Sequence, residues 1–108
     1  CGFSRDDAQA TFLQDYVDKF GVYTDDPFQV LDDDGVGRII QIAVHCGRKM
    51  NDELEIGICG EHGGNPHSIE FCNRNGFDYV SCSPFRVPVA IVSGAQSEIK
   101  KRNEGKKK

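Results

Sequence analysis

Apolar residues recur at Ala8, Phe12, Leu13, Tyr16 and Phe20, the spacing of one helical face. Asp6 and Asp7 stand where the partial positive charge of a helix N-terminus favours carboxylates, and Gly21 ends the run. A loop containing Pro27 leads to Asp32, Asp33 and Asp34, which are placed to cap a second helix. Its stripe is Val36, Ile39, Ile40, Ala43 and Val44, and it runs to about Met50. The pattern then changes. Leu54 to Cys59 reads as a short strand, followed by the loop Gly60-Glu61-His62-Gly63-Gly64. Asn65 can cap a third helix whose first position suits Pro66, whose apolar residues are Ile69, Phe71 and Cys72, and which Gly76 closes. Asp78 to Cys82 reads as a second strand. After the Ser83-Pro84 turn, a last helix runs from about Arg86 through Ile99.

Strands alternating with helices predict parallel pairing, hence an α/β fold with about two strands and four helices. Two strands make a poor sheet alone, and their apolar character calls for further strands beside them. The residues therefore read as part of a larger α/β domain, without internal repeats.

Charge and cysteine content narrow the function. In 108 residues, 13 Lys+Arg face 17 Asp+Glu, a formal charge of -4, which argues against nucleic acid or an acidic membrane as partner. Six of the basic residues lie between Lys100 and Lys108, and this run reads as a solvated tail because like charges repel. No apolar run approaches the ~18 residues of a membrane helix, and no secretory signal is visible. The five cysteines (Cys1, Cys46, Cys59, Cys72, Cys82) are odd in number and irregular in spacing, which favours reduced thiols in cytosol or an organelle stroma. Cys1 in place of Met reads as a cut or processing site.

The richest chemistry is Cys59-Gly60-Glu61-His62-Gly63-Gly64, at the C-terminal end of a strand, where α/β folds place their active sites. A thiol there can exchange a proton near neutral pH, and His62 with the following helix N-terminus would favour its thiolate. A glycine-rich turn with an incidental cysteine is the plainer alternative. Cys59 and His62 also have zinc-like spacing, with Cys72 and Cys82 as further donors, but Cys72 falls on a helical stripe that suits a buried thiol. Cys82-Ser83-Pro84-Phe85-Arg86 is too short for a thiol-phosphatase loop. Cys46 reads as structural, and His45 and His67 as surface residues.

Four blocks then become specific. Gly2-Phe3-Ser4-Arg5-Asp6-Asp7, Asp26-Pro27-Phe28-Gln29-Val30-Leu31-Asp32, Gly57-Ile58-Cys59-Gly60-Glu61-His62-Gly63-Gly64 and Tyr79-Val80-Ser81-Cys82-Ser83-Pro84-Phe85-Arg86-Val87-Pro88 resemble, in order, the C-terminal end of the pyruvate, phosphate dikinase family of PEP-utilising enzymes. The resemblance implies that residues 1–90 are part of a phosphoenolpyruvate/pyruvate-binding (β/α)8 barrel, a TIM barrel, and that these strands are its last two. Residues 91–108 would continue the final helix into the lysine-rich tail. It implies Cys59 as the acid/base that moves a proton at C3 of pyruvate or enolpyruvate, with Gly60, Glu61, His62, Gly63 and Gly64 as its supporting loop. It also implies Mg2+, with all ligands outside these residues, ATP and phosphate on other domains, a homodimer, and a cytoplasmic or plastid location. Two departures stand out. Asn65 replaces the family's usual aspartate, and beyond Ala90 the usual ending is lost. The competing expectation is an inactive truncated remnant that serves only as a structural or subunit-interaction piece.

Overall fold

The computed structural model describes residues 2–106; Cys1 and the last two lysines lie outside the described residues. Helix α1, Arg5–Ala8, begins under Ser4, whose hydroxyl accepts the Asp7 amide. The spacing predicts one α-helix to Phe20. Instead, Gln9–Leu13 and Asp15–Lys19 continue as π-helical turns, with the Phe20 amide bonded to the Asp15 carbonyl five residues back. An aromatic ladder accompanies these wide turns: Phe12 packs edge-on against both Phe3 and Tyr16, at 5.2 Å each. Only Ala8 and Leu13 of the predicted stripe are buried, and Phe20 is largely exposed.

Helix α2 spans Val36–Met50, as its stripe predicts. The acidic run does not supply its N-cap. Gly35 occupies that position, and Asp32 instead bonds the Gly35 amide through Oδ1. Leu31, just before, enters a core with Phe71 and Cys72 of helix α3 (Pro66–Arg74), against which Ile40, Ile58, Phe77 and Val80 pack.

Strands β1 (Gly57–Ile58) and β2 (Tyr79–Val80) pair in parallel, Gly57 with Tyr79 and Ile58 with Val80. They are shorter than the six- and five-residue runs the sequence predicts, because each has one neighbour; Leu54 and Glu55 find none among the described residues. Asp78 closes the entrance to the pair. Its amide donates to the Ile56 carbonyl, and its carboxylate accepts the Ile56 amide at 2.7 Å and Arg48 at 2.9 Å. The described residues thus form an α/β unit of two parallel strands and four α-helices.

Helix α4 runs Val87–Lys106, well past Ile99. Every described residue from Lys100 to Lys106 is exposed, as the solvated-tail reading expects, but the run is helical and touches α3. Lys100 bonds Glu70 at 2.7 Å, Arg74 bonds Glu104 at 2.9 Å, and Asn73 donates to the buried Ser97 hydroxyl. Glu70, the one carboxylate of α3, pairs with Lys100, and Arg102 bonds Glu98 within α4. No helix among the described residues is long and apolar enough to cross a membrane.

Candidate active site around Cys59

Cys59 follows β1 directly, and its thiol is free and exposed. The Ser81 amide donates to the Ile58 carbonyl at 2.8 Å, so the ladder extends to the residue opposite Cys59. The chain then turns sharply at Gly60, whose φ of 84° is left-handed and suits glycine.

The turn Glu61–Gly64 is a single 3-10 turn pressed onto its surroundings. A Cβ on Gly63 would lie 2.2 Å from the Ser81 carbonyl oxygen, which, being backbone, cannot give way. Gly64 lies under the Arg86 stem, and the Arg86 guanidinium donates to the Gly64 carbonyl at 3.3 Å. The His62 ring bonds the Pro27 carbonyl through Nε2 at 3.0 Å. Glu61 stands between two cations, 3.9 Å from Arg5 and 3.8 Å from Arg86. Asn65 then caps α3, accepting the Ser68 amide and hydroxyl with one oxygen. That Ser68 hydroxyl is fully buried and accepts the Leu31 amide, which ties the acidic loop to α3. Asn65 therefore supplies the cap that its position predicts.

The other cysteines are dispersed. Cys72 is 1% exposed, and burial, reinforced by Asp33, pushes its thiol up to about 11. Cys82 is half-buried beyond β2, and Cys46, expected to be structural, is exposed on α2. His45 is exposed, and His67 reaches the Asp33 carboxylate at 3.2 Å. No three His, Cys, Asp or Glu side chains converge as metal ligands among the described residues. Arg86, read from the sequence as the start of the last helix, packs on the Cys59 turn. Its contact with Gly64 spans 22 positions and leaves no local signal.

A thiol at the carboxyl end of a parallel strand, on a turn fixed by its own backbone, can take or give a proton to a ligand above the sheet. Three curated relatives resemble the chain closely. A pyruvate, phosphate dikinase of Rhizobium meliloti (strain 1021) is 56% identical over 101 residues, covering 94% of this chain and 11% of the relative. That of Clostridium symbiosum is 53% identical over 98 residues, 91% of this chain and 11% of the relative. The chloroplastic enzyme of Flaveria pringlei is 54% identical over 95 residues, 88% of this chain and 10% of the relative. The chain thus spans about a tenth of the length of these relatives. Residues 3–99 match the family model described as PEP-utilising enzyme, PEP-binding domain, and the chain belongs to that family.

Proposed function

We propose that this chain works as part of a pyruvate, phosphate dikinase, which interconverts ATP, phosphate and pyruvate with AMP, diphosphate and phosphoenolpyruvate. In this reading β1 and β2 are neighbouring strands of a (β/α)8 barrel, and pyruvate or phosphoenolpyruvate binds at their C-terminal ends. The observation that carries it is the exposed Cys59 thiol at such a strand end, in a chain more than half identical to a dikinase.

The Cys59 thiolate takes a proton from the methyl carbon of pyruvate. The electron pair of that C–H bond becomes the C2–C3 double bond of the enolate, and the oxygen at C2 gains the charge. In reverse, the thiol returns its proton to C3. Gly60 lets the chain turn away immediately after the thiol, and the Glu61–Gly64 turn keeps Cys59 at the mouth of the sheet. Mg2+ supplies electrostatic stabilisation of the enolate when bound, through ligands outside these residues. ATP and phosphate react on other domains, and the whole enzyme works as a homodimer.

Segment exchange tests this reading. In the Clostridium symbiosum dikinase, residues 3–99 of this chain replace the matching segment. The segment chimera should interconvert pyruvate and phosphoenolpyruvate. A folded chimera that keeps its nucleotide-site partial reaction but forms no phosphoenolpyruvate contradicts the reading.

A further inference from the structure

Each residue of the Glu61–Gly64 turn has its own anchor: Glu61 on two cations, His62 on the Pro27 carbonyl, Gly63 on the Ser81 backbone, Gly64 under Arg86. Between the end of β1 and this turn lie only Cys59 and Gly60, and a Cβ on Gly60 would have nothing within 4 Å. The side-chain anchor of the turn closest in sequence to the thiol is therefore the Glu61 carboxylate. Its two partners come from opposite ends of the chain, Arg5 from α1 and Arg86 from the turn before α4.

These contacts are poorly suited to holding the fold together. The Arg5, Glu61 and Arg86 side chains are 51%, 44% and 36% exposed, and their nitrogens and oxygens lie near the outer limit of ion pairing. Half-exposed pairs at such distances add little stability. Their value is geometric: one carboxylate links α1, the cysteine turn and the turn before α4, two positions along the chain from Cys59. Resting on the acid/base reading of Cys59, we propose that Glu61 is the positioning residue that sets this thiol against the methyl carbon of pyruvate, acting through Arg5 and Arg86. A misplacement of about 1 Å at a reacting group can cost about 10²-fold in rate, so a loose but convergent clamp has a large effect on proton transfer and a small one on folding.

The test uses the segment chimera and follows exchange of pyruvate methyl protons with solvent. Glu61→Gln keeps the size and removes the charge. It should slow exchange by about tenfold, an intermediate misplacement, mainly through kcat with KM for pyruvate little changed. The nucleotide-site partial reaction and the melting temperature should stay at the parent values. Glu61→Asp, which keeps the charge, should fall between the two, and it serves as the readout where Glu61→Gln does not fold. Arg86→Gln and Glu61→Gln should be non-additive, because they remove the same clamp. If Cys59→Ala abolishes exchange while Glu61→Gln exchanges at the parent rate, or if the two clamp variants add, the positioning role is overturned. If Cys59→Ala itself leaves exchange intact, the acid/base reading falls and takes this inference with it.

Discussion

Among the thiols, Cys59 and Cys72 lie at opposite extremes of environment. Cys72 is buried on α3 in the cluster with Leu31 and Phe71, and desolvation, with Asp33 adding to it, raises its pKa from 9.0 to about 11. Alkylation at about pH 8 should therefore modify the exposed Cys46 and Cys59 and spare Cys72 until denaturant is added, since the thiolate is the nucleophile. Peptide mapping after iodoacetamide checks this. The same shift has a sign in stability. Between 9.0 and about 11 the unfolded thiol has ionised and the folded one has not, so the unfolded state binds fewer protons and stability falls as pH rises through this window. At full effect the separation is worth about 3 kcal/mol. The urea midpoint should drop between about pH 8 and about pH 10.5, and Cys72→Ala should flatten that drop. A midpoint independent of pH in the parent would show that Cys72 is solvated.

The α3–α4 seam depends on pH in the opposite direction. Lys100, bonded to Glu70, and Arg74 beside it hold the Glu70 carboxyl below its ordinary value of 4.5, against the opposing effect of burial. A depressed carboxyl contributes stability above the unfolded value, and that stability is lost as pH falls through the folded one. Below 4.5 the amides across residues 97–104 should therefore lose protection relative to their unfolded exchange rates. Glu70→Gln should reproduce that fraying at neutral pH, at a cost of about 0.5–1 kcal/mol. Unchanged exchange in both cases would show that the Lys100–Glu70 contact does not hold this end of α4. This seam also marks where sequence reading stops. The limits of α2 were legible because its stripe is local, and the start of α3 because Asn65-Pro66 is a complete local signal. The course of the tail was not, since Glu70 lies 30 positions from Lys100. Nor were the π-helical turns before Gly21, which share an apolar pattern with an ordinary helix. At the site, Cys59 and its glycines were legible from composition and resemblance, whereas the Arg5–Glu61–Arg86 convergence is purely tertiary.

Across the molecule, apolar surface remains open on the helices: Ile39 and Ile42 on α2, Ile91 and Val92 on α4, and Phe85 at 94% exposure. Two paired strands also leave outer edges that bind other strands readily. The chain alone should consequently associate as concentration rises, visible by sedimentation velocity; a sharp, concentration-independent two-state melt of a monomer would contradict this. Alone it should also convert no pyruvate to phosphoenolpyruvate, because it spans about a tenth of its relatives' length and one acid/base thiol cannot run phosphoryl transfer. Proton NMR of pyruvate methyl exchange in deuterated solvent shows whether Cys59 moves the proton at C3. Cys59→Ala and Cys82→Ala are compared in the segment chimera. Alanine can neither hold nor accept the proton, so Cys59→Ala should slow exchange by at least about 10²-fold. Cys82→Ala should exchange near the parent rate, and the nucleotide-site partial reaction should survive in both. Exchange lost in Cys82→Ala and kept in Cys59→Ala, or kept in both, would contradict the account.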